Sequence, residues 1–254
     1  MKITLLGTGT SQGVPVIGCT CEVCRSEDPR DKRLRTAALI QIDNTHILID
    51  AGPDLRQQML RYHVDRLDAI LLTHEHNDHI IGMDDVRPFN FRSRKNMPIY
   101  AVTRVQKALK KRFAYAFDEN PYPGAPRLEL KDIWPAQDFW INNIKISPIE
   151  VLHGRLSVLG FRFGAFTYIT DAKTISTESL EQIRGTEVLV LNALHHQTHH
   201  SHLNLEEALA LAQTIGARTT YLTHISHWMG KHEVIDAQLP PGIHLAYDGL
   251  EIQI

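Results

Sequence analysis

Short apolar runs alternate with polar turns along the whole chain. The runs have the length and aliphatic composition of buried strands. Six of them are Ile47–Ile49, Ala69–Leu72, Ile144–Ile146, Tyr168–Ile169, Val188–Leu191 and Tyr221–Leu222. Helical periodicity falls between some of these runs, and strands interleaved with helices predict a layered α/β fold.

One predicted helix has both of its ends marked by the sequence. Asn204 can cap the N-terminus, and Glu207, three residues later, completes a capping box. The apolar residues that share one face are Leu205, Ala208, Leu209 and Ala212. Gly216 is typical of the residue that follows a helix, so we expect the helix to end there.

Histidine or aspartate follows several apolar runs, directly or nearly so. These residues are Asp50, His74, His153, Asp171 and His224. Because a packed sheet delivers side chains from its terminal loops into one crevice, we expect the five residues to share a site.

The densest of these polar segments, His74–His79, reads HEHNDH and carries three imidazoles and two carboxylates. In a tight strand-to-helix turn, His74 and His76 can point one way while Asp78 and His79 point another. This arrangement favours two neighbouring divalent ions, which would lower the pKa of a shared water and so generate a hydroxide nucleophile. A solvated, histidine-rich turn is the alternative interpretation.

The HxHxDH pattern resembles the signature of the metallo-β-lactamase superfamily, and the later polar residues follow in that family's order. The resemblance spans essentially the whole chain and implies one domain, residues 1–254, folded as a four-layer αββα sandwich. It implies two ion sites, one held by His74, His76 and His153 and the other by Asp78, His79 and His224, with Asp171 bridging them. Asp78 would therefore be catalytic as well as a ligand.

Asp50 resembles the aspartate that precedes the ligand motif in this family. That resemblance implies a hydrogen-bond acceptor that supports the metal-ligand loop. A turn cap before Gly52 and Pro53 is the alternative.

The glycine-rich start Gly7–Pro15, GTGTSQGVP, resembles the phosphodiesterase branch of the superfamily. Within that branch the chain is most similar to the PhnP family of cyclic phosphodiesterases, and more distantly to ribonuclease Z. The resemblance implies binuclear hydrolysis of a small cyclic or nucleotide-like phosphodiester, with Zn or Mn as the ions. The alternatives are a ribonuclease Z-like nuclease acting on RNA or DNA ends, a thioester hydrolase, and a non-catalytic module that binds nucleic acid.

All three cysteines lie in one short segment, CxCxxC, formed by Cys19, Cys21 and Cys24. Three thiols are one ligand short of a closed tetrahedral zinc site. Resemblance to the PhnP family supplies His227 as the fourth ligand and implies a structural zinc. A catalytic thiol or a redox pair is the competing interpretation, since a CxxC spacing can lower a thiol pKa.

Five histidines crowd residues 195–202, just before the capped helix. Resemblance to ribonuclease Z implies that His202 is the general acid or a phosphate contact, whereas resemblance to the PhnP family places that role at His200. The other three histidines are interpreted as solvated or supporting residues.

A positively charged segment, residues 87–112, contains nine Lys or Arg and no Asp or Glu. Arg87, close behind the HEHNDH motif, is the candidate phosphate contact. Lys107, Lys110 and Lys111 are better explained as the solvated face of an amphipathic helix that begins after Thr103. The Pro-rich segment 121–126 is too stiff for a helix or a central strand, and it is far shorter than the arm with which ribonuclease Z clamps tRNA.

The net charge does not favour nucleic acid or an anionic membrane as a partner, because 27 Lys and Arg nearly balance 29 Asp and Glu. The N-terminus lacks the pattern of a secretory signal, and no apolar run approaches the length of a membrane span. We therefore expect a cytoplasmic protein without a membrane partner. A homodimer is plausible by resemblance to the phosphodiesterase branch.

Overall fold

Two mixed β-sheets face each other in the computed structural model, which describes residues 1–254. The strands are β1 (Lys2–Gly7), β2 (Ala37–Ile42), β3 (Thr45–Ile49), β4 (Ala69–Leu71), β5 (Met97–Ala101), β6 (Leu128–Asp132), β7 (Phe139–Ile141), β8 (Ile144–His153), β9 (Leu156–Phe163), β10 (Phe166–Ile169), β11 (Thr174–Ile175), β12 (Val188–Asn192), β13 (Thr219–Thr223), β14 (Ile243–Leu245) and β15 (Leu250–Gln253). The α-helices are α1 (Leu55–Arg61), α2 (Asn77–Ile80), α3 (Arg87–Ser93), α4 (Thr103–Arg112), α5 (Thr177–Gln182), α6 (Leu205–Ile215) and α7 (His232–Asp236). Short 3-10 helices span Pro29–Asp31, Ile81–Val86, Ala114–Ala116 and His227–Met229.

Each sheet joins an antiparallel part to a parallel part. The first sheet has the order β15-β1-β2-β3-β4-β5-β6 and is parallel from β3 to β6. The second has the order β11-β8-β9-β10-β12-β13-β14, with β7 paired to β8, and is parallel from β10 to β14. Because the carboxyl ends of parallel strands share an edge, the loops after β3, β4, β10, β12 and β13 can meet there.

Three apolar clusters separate the layers. The cluster between the sheets joins residues of both, such as Ile40 and Phe161. A second cluster packs the outer face of the first sheet against α1, α3 and α4, and a third packs the second sheet against α5, α6 and α7. The predicted four-layer αββα sandwich is thereby confirmed.

The predicted capped helix is α6. The Asn204 side chain accepts from the Glu207 backbone N–H at 2.8 Å, and the Glu207 carboxylate accepts from the Asn204 N–H at 3.0 Å. Gly216 ends the helix with φ 71°, in the left-handed region that glycine adopts without steric cost.

The structure also describes three further features of the sequence. The glycine-rich turn after β1 packs tightly on its neighbours, because a side chain at Gly7 would meet the Arg35 carbonyl oxygen. Lys107, Lys110 and Lys111 are exposed on α4, as predicted. The segment 121–126 forms neither helix nor strand. No helix has the length and apolar content needed to cross a bilayer.

Candidate metal centre

Three strands end in a residue with left-handed backbone geometry. Asp50 follows β3 with φ 63°, Asp171 follows β10 two residues on with φ 58°, and His224 follows β13 with φ 57°. Non-glycine residues rarely adopt this region, and they cluster at functional sites when they do. Here the sharp bend ends each strand and places its polar side chain in the crevice between the sheets.

The HEHNDH segment follows β4 and continues into the single-turn helix α2. His76 precedes the first helical residue, so Asp78 and His79 fall on the turn itself. His74 Nε2 lies 3.0 Å from His76 Nδ1, and His79 Nε2 lies 3.2 Å from an Asp78 carboxylate oxygen. The segment therefore forms two adjacent pairs of polar side chains, His74 with His76 and Asp78 with His79.

Asp171 lies at the centre of the site. Its carboxylate oxygens are 3.3 Å from His79 Nε2, 3.2 Å from His224 Nε2 and 3.8 Å from His202 Nδ1. The His153 ring centroid lies 5.3 Å from that of His76 and 4.4 Å from that of His202. One crevice thus brings together all seven residues that the resemblance implies as ligands.

Three of these imidazoles are fixed through Nδ1. The Thr73 hydroxyl donates to Asp50 and accepts from His74 Nδ1–H at 3.0 Å. His79 Nδ1–H donates to Asp50 at 2.6 Å, and His153 Nδ1–H donates to the Ser201 carbonyl at 2.7 Å. Each of the three rings therefore has Nε2 free to act as a ligand.

The donor set fits divalent ions. Donor atoms of Asp78, His79 and His224 lie within 4.8 Å of one another, and this trio is one of the two sets that the resemblance implies. Both ring nitrogens of His224 are buried and neither has the geometry of a hydrogen bond, although Nε2 lies 3.2 Å from Asp171.

Negative charge concentrates at the same point. Burial alone would raise the pKa of Asp171, but His224, His79 and His74 hold it well below its usual range. Burial would likewise lower the pKa of His79, yet Asp171, Asp50 and Asp78 raise it well above the ordinary value. A site that retains a proton this strongly also attracts a metal cation in its place.

Asp50 is fully buried and contacts Thr73, just before the HEHNDH segment, and His79, at its end. Besides His79, its carboxylate accepts from the Thr73 backbone N–H at 2.9 Å. These contacts place Asp50 as a support of the loop. A turn cap before Gly52 and Pro53 does not explain them.

His202 and His200 occupy different environments. His202 is buried, with its ring centroid 4.8 Å from that of His224, whereas His200 is exposed. Burial, followed by the charge of His224, lowers the pKa of His202 to about 2. Of the two histidines, His202 is the one that contacts the ligand cluster.

The three cysteines meet His227 at a second centre. His227 Nδ1 lies 3.4 Å from the sulfurs of Cys19 and Cys21 and 3.6 Å from that of Cys24. Against the effect of burial, the Cys24 backbone N–H and His227 lower the pKa of Cys21 to about 6, while burial raises that of Cys24 to about 11. All four donor atoms lie within 4.8 Å of one another, the spacing that a single metal ion requires.

Arg87 makes no hydrogen bond or ion pair with the ligand cluster; its Nε donates to the Asp84 carbonyl at 2.8 Å. Other arginines reach the HEHNDH segment instead. Arg104 pairs with Glu75, and Arg112 donates to the Asn77 side chain at 2.9 Å. Arg155, in the turn after His153, is exposed.

Comparisons with known proteins identify the family of the chain. A family model described as a beta-lactamase superfamily domain matches residues 45–225. A crystal structure of a diphosphatase from the PhnP family superposes with a TM-score of 0.93 at 41% identity, covering 99% of this chain and 96% of that one. Human tRNase Z, short form, superposes with a TM-score of 0.75 at 17% identity, covering 100% and 99%, and shows the shared fold alone.

A Porphyromonas gingivalis protein named octanoyltransferase is 43% identical over 253 residues, which are 99% of this chain. They are only 51% of that protein, so this chain spans about half the length of the curated relative. The matching family model places the chain in the β-lactamase superfamily. Within it, the chain belongs to the PhnP family.

Proposed function

We propose that the chain is a binuclear metal-dependent phosphodiesterase whose substrate is a small cyclic or nucleotide-like phosphodiester. One observation carries the metal chemistry: His74, His79 and His153 are each fixed through Nδ1, which leaves three Nε2 atoms free around Asp171. Membership in the PhnP family supports the phosphodiester as the bond that is cleaved.

The residues present would hold two ions. One set comprises His74, His76 and His153, the other comprises Asp78, His79 and His224, and Asp171 belongs to both. Imidazole and carboxylate ligands suit Zn and Mn. When bound, two such ions supply a nucleophilic water at neutral pH and polarise the phosphoryl oxygens.

His202 is the proposed proton donor, and His200 is the second choice. His202 lies against Asp171 and His224, where the phosphoryl group would arrive. The anionic phosphate would raise the pKa of the imidazole, so that its proton can pass to the leaving oxygen. General acid catalysis of this kind contributes about 10²- to 10⁴-fold in rate.

The cysteine centre is the proposed site of a structural zinc, held by Cys19, Cys21, Cys24 and His227. A tetrahedral zinc places a thiolate sulfur and an imidazole nitrogen about 3.5 Å apart. The observed separations of 3.4 to 3.6 Å match that value. Such a zinc would tie the N-terminal loop to the segment after β13.

The function is tested with the metal-loaded protein and a substrate panel run in parallel. Bis-p-nitrophenyl phosphate, a nucleoside 2′,3′-cyclic phosphate, a dinucleoside diphosphate and an oligonucleotide separate the bond types. We expect the small diesters to be hydrolysed fastest. Faster cleavage of the dinucleoside diphosphate would move the assignment to a diphosphatase, and faster cleavage of the oligonucleotide would move it to a nuclease.

Variants and metal analysis check the ligand assignment. His76→Ala and Asp78→Ala should abolish turnover, whereas His244→Ala, an exposed histidine on β14, should not. Elemental analysis should give three metal ions per chain, with one retained after mild chelation. Unchanged turnover in Asp78→Ala would contradict the two-ion assignment.

A further inference from the structure

Arg104, in the first turn of α4, contacts both sheets at the edge that carries the metal centre. Its guanidinium pairs with the Glu75 carboxylate, which lies in the loop after β4 of the first sheet. Its Nη2 also donates to the Ser157 carbonyl oxygen, in β9 of the second sheet, at 2.5 Å. One side chain can make both contacts because the planar guanidinium carries several N–H donors in a fixed arrangement.

The two partners of Arg104 belong to the segments that supply the ligands proposed for one ion. Those ligands are His74, His76 and His153, whose ring centroids lie 4.6 to 5.9 Å apart. Glu75 lies between the first two of them in the chain. Ser157 belongs to the β8–β9 hairpin, which carries the third at the end of β8. Arg104 therefore connects the loop that supplies two imidazoles to the hairpin that supplies the third.

The ligands proposed for the other ion have separate supports. They are Asp78, His79 and His224. The imidazole of the second donates to Asp50 at 2.6 Å. The backbone next to the third is fixed by Ile225, whose N–H donates to the Thr8 carbonyl at 2.9 Å. The hydrogen bonds of Arg104 are thus made to the segments of one ligand set.

The position of Arg104 in its own helix does not explain it. A cation in the first turn of a helix is disfavoured by the helix dipole. One carboxylate oxygen of Glu75 is buried without a hydrogen-bond partner, so loss of Arg104 would leave this charge unpaired beside the imidazoles. The neighbouring contact between the sheets is a backbone hydrogen bond of 3.1 Å from the Leu159 N–H to the Thr73 carbonyl.

We propose that Arg104 is a positioning residue for the ion held by His74, His76 and His153. By fixing the loop after β4 against the β8–β9 hairpin, it keeps the three imidazoles at the separations that a single ion requires. This inference rests on the ligand sets of the proposed function and deepens it. Arg104 acts through Glu75 and Ser157 and has no contact with the substrate.

Competition between the protein and a chelator for Zn²⁺ tests the proposal without turnover. Arg104→Ala should weaken one of the two active-site ions by about tenfold, the lower end of the effect of removing an outer partner of a metal site, and leave the other unchanged. Arg104→Lys should lie between, since it keeps the charge but not the paired donors. Equal affinities in Arg104→Ala and the wild type would overturn the proposal, as would equal weakening of both ions.

Arg92→Ala is the matched control for these measurements. Arg92 belongs to the same basic segment, but it donates to the Asp65 carbonyl at 2.6 Å, away from the ligand loop. Its replacement should leave the affinity for both ions unchanged. A loss of affinity equal to that in Arg104→Ala would show that only the charge of the segment matters, which contradicts a positioning role.

Double variants identify the ion that depends on Arg104. In His153→Ala one ligand set is already incomplete, so adding Arg104→Ala should change the remaining Zn²⁺ affinity little. In His224→Ala the same set is intact, and adding Arg104→Ala should have its full effect on the ion that remains. The opposite pattern would assign Arg104 to the other ion and refute the proposal.

Turnover separates positioning from contact with the substrate. With bis-p-nitrophenyl phosphate, KM of Arg104→Ala should be unchanged, and kcat should return towards that of the wild type as the Zn²⁺ concentration is raised. A KM that stays raised at saturating Zn²⁺ would make Arg104 a phosphate contact instead. If the wild type binds two active-site ions but hydrolyses none of the diesters, the proposed function fails, and the affinity measurements still decide the role of Arg104.

Discussion

Asp50, Asp171 and His224 share a backbone conformation that costs each of them free energy, about 1–3 kcal/mol for a non-glycine residue. The surrounding contacts hold them there. Asp50, for example, is kept in place by Thr73 and His79. The same left-handed backbone conformation thus brings polar side chains from the ends of three separate strands into one crevice.

Asp50→Asn should weaken metal binding at the centre by about 10- to 100-fold, because the amide removes the charge that makes His79 a stronger ligand. Competition against a chelator, with elemental analysis, measures the change. Asp43→Asn is the matched control, since Asp43 also has positive φ, at 50°, but is exposed in the turn between β2 and β3. Equal metal affinity in the two variants would count against the supporting role of Asp50.

At the scale of elements, α6 positions the histidine loop. The capping box at Asn204 fixes the first turn of the helix, and the Asn204 side chain also donates to the His196 carbonyl at 3.3 Å. His202 stands two residues before this cap. A helix on the outer layer therefore determines where a residue of the crevice lies.

Asn204→Ala should lower the free energy of unfolding by about 1 kcal/mol, the usual value of an N-cap, and should also lower kcat because His202 loses its support. Denaturant unfolding and diester turnover measure the two effects. Ser176→Ala removes the cap of α5, whose hydroxyl accepts from the Ser179 N–H. Ser176→Ala should lower the free energy of unfolding by a similar amount and leave kcat unchanged. A fall in kcat in both variants would indicate a general loss of structure.

Local signals made α6 and the strands before the ligands predictable from sequence. The ends of α6 are determined by residues close in sequence, namely Asn204, Glu207 and Gly216. The strand before His74 is likewise predicted by the apolar run that forms it. The pairing of β15 with β1 depends on residues far apart in the chain and left no local signal. For the same reason sequence spacing did not predict that Arg104 and Arg112 contact the HEHNDH segment.

Across the whole molecule, a buried polar junction joins the first residues to the last. The Arg33 guanidinium donates to the Thr8 hydroxyl at 2.8 Å, to the Ala246 carbonyl at 2.5 Å and to His232 Nδ1 at 3.2 Å. Burial and then the charges of Arg33 and Arg30 lower the pKa of His232 to about 4. The histidine is therefore neutral in the folded protein at ordinary pH.

Because His232 is neutral in the folded protein, the free energy of unfolding should fall as the pH is lowered from 7 to 5. The pKa of His232 in the folded protein, about 4, lies below the 6.5 of an exposed imidazole, so the unfolded chain binds the proton first as pH falls. Between pH 7 and pH 5 the wild type should lose about 2 kcal/mol relative to His232→Gln, which can still accept from Arg33. Denaturant unfolding at both pH values measures the difference. His244→Gln, at an exposed position, should match the wild type, and a pH-independent gap between wild type and His232→Gln would refute the prediction.

The two sheets divide the proposed ligands between them. The loop after β4 in the first sheet carries His74 to His79, whereas His153, Asp171 and His224 come from the second sheet. Bound ions would therefore bridge the sheets at one edge of the apolar layer between them, and any parting of that edge would strip each ion of some of its ligands. The rate at which a chelator removes the metal would then measure how often the two sheets separate at this edge, under conditions in which the protein stays folded.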